Sequence, residues 1–212
     1  MGGKSKRFGS IDKGTYKLYG KPLLSYQIDT ISRFNAKIFL VARSKKQVQN
    51  YINSIEYEKI TAFILDDREL LDYSDIVSPL IGLYSTFKEL SRFKGISKVF
   101  IISCDMPLIK YEVLNLILRR CNDYDCCIPR WKNGYLEPLF AIYPIEKGLK
   151  AAHEMLKERK YKLTGFFERD WNINYISVED EIQPIDRKLL TFININEMSD
   201  INKIKKNLSN NS

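Results

Sequence analysis

Histidine is almost missing from this chain: His153 stands alone in 212 residues, and one imidazole cannot complete a zinc site by itself. The four cysteines, Cys104, Cys121, Cys126 and Cys127, have no Cys-x-x-Cys spacing, so buried reduced thiols are expected rather than a metal knuckle or a redox pair. No apolar run approaches the roughly 18 residues that a membrane span requires, and no signal-peptide core is visible. A cytoplasmic protein without a membrane partner is therefore expected. Basic residues are in excess, with a net charge of +8, which calls for an anionic partner. They are dispersed rather than gathered in one tract, and the Tyr and Phe residues lie mostly in apolar runs. Nucleic acid is accordingly not the expected partner. Internal repeats and linkers are missing too, so residues 1–206 are expected to form one domain, with 207–212 a disordered polar tail.

What is present begins at the amino end. Gly2 and Gly3 leave backbone N–H groups bare, and Lys4, Lys6, Arg7 and Lys13 bring cations to the same segment. Unhindered amides beside positive side chains suit a polyphosphate. A frayed basic terminus with flexible glycines has the same composition, and the spacing matches neither the Walker loop nor the dinucleotide fingerprint.

Further on, short runs rich in Ile, Val and Phe read as strands covered on both faces: Lys37 to Ala42, Thr61 to Leu65 and Lys98 to Ser103. Helical patterns follow one another between and after them, over Pro22 to Arg33, Lys45 to Ile55, Pro79 to Arg92 and Tyr111 to Arg120. Later strands are expected over Tyr124 to Ile128, Leu136 to Tyr143, Asn172 to Val178 and Leu190 to Ile195. Helices are expected over Ile145 to Lys160 and from Glu197 to about Leu208. The alternation predicts an α/β fold with a Rossmann-like, doubly wound and mostly parallel sheet. In such a sheet a phosphate loop follows a central strand. Only Met1 stands ahead of Gly2, so either that strand is absent or the true start lies upstream of the given one; the latter is expected, and about six to ten added residues should raise stability and activity.

Several motifs in order resemble the molybdenum cofactor guanylyltransferase family, within the wider class of Rossmann-like nucleotidyltransferases. They are Gly-Gly-x-Ser-x-Arg-Phe-Gly at residues 2–9, Asp12-Lys13-Gly14, Gly20-Lys21-Pro22-Leu23-Leu24, Ser103-Cys104-Asp105-Met106-Pro107, Glu137-Pro138-Leu139-Phe140-Ala141 and Phe192-Ile193-Asn194-Ile195-Asn196. The matches span nearly the whole chain. The resemblance implies transfer of GMP from GTP to the phosphate of molybdopterin, with pyrophosphate released and no covalent enzyme intermediate. It also implies Mg²⁺ as cofactor, GTP and molybdopterin as substrates, and molybdopterin-handling proteins as partners.

The residues suit that chemistry. Two phosphate-bearing anions must meet while charge builds on a leaving pyrophosphate, so positioning and neutralisation supply most of the acceleration. Arg7 can fork onto phosphate oxygens, and Lys13 offers a compact charge. Asp105 follows a strand at the end where open α/β sheets bind ligands, and one carboxylate with phosphate and water oxygens suits Mg²⁺. On its own, Asp105 also suits a helix N-cap. Gly2, Gly3, Lys13, Asp67 and Gly82 complete the nucleotide side, although Asp66 could serve in place of Asp67, and either could be a plain turn residue. Asn194 and Asn196, alternating on the last expected strand, would face the acceptor, although a strand-end turn fits them equally. Val41 stands where the family often has asparagine. Arg43 or Ser44 are the candidates to replace that contact, and cytosine becomes a rival base. The other readings are a related transferase using CTP or another nucleotide, a non-catalytic nucleotide sensor and a nucleic-acid module.

Overall fold

Short apolar runs separated by amphipathic stretches fold into alternating strands and helices in a computed structural model that describes residues 12–67, 78–196 and 200. Gly2, Gly3 and Arg7, the helix expected from Glu197 and the tail at 207–212 lie outside these residues, apart from Asp200 in the expected helix.

After a 3₁₀ turn at Lys13–Thr15, a hairpin with a two-residue turn follows. Strands β1 (Lys17–Leu18) and β2 (Lys21–Pro22) run antiparallel, joined by Tyr19 and Gly20 with φ of 50° and 80°. Positive φ at both central residues matches the right-handed twist of the flanking strands. The Tyr26 hydroxyl donates to the Leu18 carbonyl at 2.8 Å and ties this hairpin to helix α1 (Leu23–Ser32).

Strands β3 (Phe39–Ala42) and β4 (Ala62–Leu65) pair in parallel, with helix α2 (Lys45–Ile52) making the crossover. Ser44 caps α2 by accepting from the Gln47 N–H at 3.2 Å. Helix α3 (Pro79–Leu90) starts from a Ser78 cap with proline in its first turn, where no N–H is needed.

A second sheet has the order β5-β7-β6-β8, formed by β5 (Lys98–Ile102), β6 (Cys126–Arg130), β7 (Phe140–Pro144) and β8 (Ile173–Ser177). Here β6 and β8 are parallel, while β7 runs against both of its neighbours. Alternate residues of β7 go to opposite faces, as a pleated strand requires. Ala141 and Tyr143 join Leu83, Phe87 and Met155 beneath α3 and helix α5 (Ile145–Lys157). Phe140 and Ile142 join Val113, Leu114 and Ile117 of helix α4 (Tyr111–Arg120). Helices cover both faces, and the expected Rossmann-like α/β class holds.

Two expectations change. The strand expected from Leu136 begins only at Phe140, because the preceding residues form a turn. In it the Phe140 N–H donates to Glu137 O at 2.9 Å, and Leu136 makes only an isolated bridge to Arg130. The strand expected over Leu190 to Ile195 is instead a single 3₁₀ turn, Leu190–Phe192, followed by irregular chain. The buried Asp186 carboxylate accepts the Leu190 and Thr191 N–H groups at 3.1 and 2.8 Å, so those amides are taken before a neighbouring strand could use them.

Candidate functional site

The carboxyl ends of β3 and β5 come together around Asp12. Its carboxylate accepts from the Gly14 N–H at 2.9 Å, from the Tyr51 hydroxyl at 3.2 Å and from the Gln47 side-chain amide. Gln47 and Tyr51 sit four residues apart on α2 and therefore share a face. Gln47 also accepts the Arg43 N–H at 2.7 Å, just past β3. Burial pushes the Tyr51 phenol well above its ordinary range, so it stays a proton donor to Asp12. Asp12 thus fixes the turn that presents Lys13.

After β5 the chain turns through Ser103, Cys104 and Asp105. Gln27 of α1 holds this turn by donating to the carbonyls of Ser103 and Met106 at 2.6 and 2.7 Å. The Ser103 hydroxyl donates to Asp105 Oδ1. Burial raises the Cys104 thiol, which fits a reduced side chain rather than a nucleophile.

The Asn194–Asn196 segment joins these two turns. The Ile195 N–H donates to the Asp105 carbonyl at 2.8 Å, and Lys13 Nζ donates to Asn196 Oδ1 at 3.0 Å. Ile195 is buried, while Asn194 and Asn196 on either side of it are exposed. The strand expected to set both side chains on one face is irregular chain here. Lys13, Asp105 and Asn196, distant in sequence, are brought to one place.

Glu137 adds a second carboxylate. Trp131 Nε1 donates to its Oε1 at 2.8 Å, and burial raises its pKa, with the Asp105 charge raising it further. Neither Glu137 nor the Asp12–Gln47–Tyr51 anchor was among the site residues expected from sequence. The Glu-Pro-Leu motif and the four-residue spacing of Gln47 and Tyr51 were the signals available.

The remaining nucleotide-side candidates sit on other elements. Asp67 follows β4, with its N–H on Ser85 Oγ at 2.7 Å and its carboxylate paired with Lys88 of α3. Gly82 lines a cleft between β3 and β5, as do Val41 and Cys104. The Ser44 hydroxyl serves as the α2 cap. His153 stacks on Tyr84 with ring centroids 6.0 Å apart. Among the described residues, no group of three or more His, Cys, Asp or Glu side chains is arranged to hold a metal. An ion here would need oxygens from phosphate and water beyond Asp105, a demand that suits Mg²⁺ better than zinc. No described helix is long and apolar enough to cross a membrane.

Residues 1–170 match the family model of the MobA-like NTP transferase domain. A probable molybdenum cofactor guanylyltransferase of Pyrococcus horikoshii is 32% identical over 207 residues, covering 96% of this chain and 95% of that protein. One from Thermococcus sibiricus is 33% identical over 211 residues, covering 96% and 94%. Among solved structures, molybdopterin-guanine dinucleotide biosynthesis protein A from Archaeoglobus fulgidus superposes with a TM-score of 0.74. It is 26% identical and is covered over 96% of its length by 99% of this chain.

Proposed function

This chain belongs to the MobA-like NTP transferase family, and from that membership we propose that it is a molybdenum cofactor guanylyltransferase. It transfers GMP from GTP to molybdopterin. A phosphate oxygen of the pterin attacks the α-phosphorus of GTP, the bond from that phosphorus to the β-phosphate bridging oxygen breaks, and pyrophosphate leaves. The guanine dinucleotide form of the cofactor is the product.

In this reading Lys13 neutralises charge at the α- and β-phosphates, and Gly2, Gly3 and Arg7, outside the described residues, grip the rest of the triphosphate. Asp67 and Gly82 serve the guanosine side. Asn194 and Asn196 serve the acceptor. Asp105 holds Mg²⁺, with Ser103 fixing the carboxylate through Oδ1. When bound, the ion supplies positive charge to phosphate oxygens and to the leaving pyrophosphate. Glu137, whose pKa is raised, is the natural partner for a proton or a water on the acceptor side. One domain over residues 1–206 carries all of these groups. Four free cysteines fit the reducing cytoplasm, and no nucleic acid is needed.

The observation that carries this assignment is the bridge from Lys13 through Asn196 and Ile195 to Asp105. It ties the Lys13 side chain and the Asp105 main chain to one short segment, which supports a reading as transfer between two phosphates. The test is pyrophosphate release by purified protein with Mg²⁺ and GTP, with and without molybdopterin, and with CTP in place of GTP. Release that needs both GTP and molybdopterin is expected. Equal or better turnover with CTP would reassign the base, an outcome to which Val41 in place of the family's asparagine gives standing.

A further inference from the structure

Taking the chain to be a guanylyltransferase, we infer that Tyr135, at the tip of the β6–β7 hairpin, is the stacking platform for the pterin ring of the acceptor. Its side chain is 71% exposed, the most open large apolar side chain among the described residues. Exposure by itself says little, because single surface aromatics are normal. What sets Tyr135 apart is that the backbone beneath it is fixed and that its face of the hairpin leads to the reacting groups.

Trp131 and Tyr135 face each other across the turn Lys132-Asn133-Gly134. The Trp131 N–H donates to Tyr135 O at 2.8 Å and the Gly134 N–H to Trp131 O at 2.8 Å. Gly134 takes the positive φ, 85°, that closes such a turn. The Tyr135 N–H donates to Asn133 Oδ1 at 2.9 Å, a side-chain brace of the kind asparagine supplies in turns. From the one-turn helix Val178–Ile182 after β8, the Glu179 carboxylate accepts the Lys132 N–H at 3.0 Å, and Asp180 pairs with Lys132 Nζ at 2.9 Å. The tyrosine is thus offered to solvent with little backbone freedom left to lose on binding, and its own side chain has only two torsions to fix.

The Arg130–Leu136 bridge and the Glu137 N–H on Pro129 O at 3.1 Å continue the same pairing. Alternation along it puts Trp131, Tyr135 and Glu137 on one face and Leu136 on the other. Leu136 packs with the cluster under α3 and α5, and Trp131 with the cluster under α4. Tyr135 therefore stands on the α4 face, about 7 Å along the strand from Glu137. Two routes lead from there to the site. Trp131 Nε1 holds Glu137, on which the Asp105 charge acts, and the Trp131 ring meets Phe192 edge-on at 5.5 Å, just ahead of Asn194 and Asn196. Among the described strands β5 ends its sheet, with β7 and β6 to one side and β3 across a cleft on the other, so the hairpin lies away from Asp67 and Gly82. With the acceptor phosphate at Lys13 and Asp105 and guanosine towards β4, the planar part of the pterin falls on the hairpin side, where a phenol ring can cover one of its faces.

The test titrates free pterin, whose fluorescence reports binding, against the whole 212-residue chain and its Tyr135→Ala and Tyr135→Phe variants. Loss of one stacked ring is expected to weaken pterin binding about tenfold in Tyr135→Ala and less than about twofold in Tyr135→Phe. Tm should stay within about 2 °C of the parent in both, because the side chain is exposed. In steady state with Mg²⁺ and GTP, Tyr135→Ala is expected to raise KM for molybdopterin about tenfold while kcat and KM for GTP stay within about twofold, and Tyr135→Phe to keep the parental KM. Equal binding of pterin by the parent and Tyr135→Ala, or no saturable binding by the parent, would overturn the inference, as would a rise in KM for GTP instead. A parent that binds pterin through Tyr135 yet releases no pyrophosphate from GTP and molybdopterin would count against the guanylyltransferase reading and leave the platform standing.

Discussion

Lys13 and Asn196, 183 positions apart, meet where Lys13 Nζ donates to Asn196 Oδ1 at 3.0 Å. A surface bond from an ammonium to a neutral amide can be exchanged for one to a phosphate oxygen, which adds the attraction of an opposite charge. Lys13→Ala is expected to lower kcat/KM for GTP by about 10²- to 10³-fold, the scale of losing one donor to a developing charge. Its Tm should stay within about 2 °C of the parent, since no core packing is lost. Steady-state pyrophosphate release and a thermal melt check both halves, and unchanged turnover would remove Lys13 from the phosphates.

Asp105→Asn keeps the size of the side chain and an acceptor for the Ser103 hydroxyl while discarding the charge. Turnover at saturating Mg²⁺ is expected to fall by about 10³-fold or more with the fold intact, because an amide is a poor ligand for a hard divalent ion. Near-parental turnover, or an unchanged Mg²⁺ dependence, would take the ion away from Asp105.

The sequence revealed elements whose partners are implied by local pattern. The run from Val99 to Ile102 is apolar throughout, as is Phe39–Ala42, and Ser78-Pro79 announces the start of α3. Tyr111–Arg120 appears with the expected bounds, set by an amphipathic face over Val113, Leu114 and Ile117. It was weaker where a distant side chain intervenes. Nothing local to Leu190–Ile195 distinguishes a strand from a turn, and the Asp186 carboxylate decides the matter. The Asp12 anchor depends on contacts 35 and 39 residues away, which periodicity cannot register. Lys13 and Asp105 were legible as chemical types through their motifs. Their connection through Asn196 and Ile195 required the fold.

The raised pKa of Glu137 makes stability pH-dependent in a definite sense. Its folded value lies above the ordinary 4.5, chiefly through burial. Between the two values the folded protein binds more protons than the unfolded chain, so stability falls as pH rises. The contribution is full below about 4.5 and is lost once pH passes the folded value. Glu137→Gln keeps an acceptor for Trp131 Nε1 and removes the titration. The variant is expected to gain on the parent in Tm as pH is raised from about 4 to 7. Because the Asp105 charge adds to the shift, the gap should narrow in an Asp105→Asn background. A constant gap across the pH series would mean that Glu137 titrates normally.

Helices α3 and α5 touch at Gly148, where a methyl group would stand 2.9 Å from the Phe87 ring. Alanine is the better helix former by about 1 kcal/mol, so in an open helix Gly148→Ala would stabilise. Here the ring has little room to retreat, being fully buried with Tyr143 and Phe166 at centroid distances of 5.8 and 6.1 Å. Overpacking of this kind costs about 1–3 kcal/mol and outweighs the propensity gain across most of that range. A fall in Tm of up to about 8 °C is expected for a chain of this size. Phe87→Leu leaves a cavity of its own, yet it removes the atoms that the new methyl would strike. The double variant should therefore lose less than the two single losses together, a coupling that thermal or urea melts can measure. Strict additivity, or a more stable Gly148→Ala protein, would show that α5 can shift away from α3 without cost.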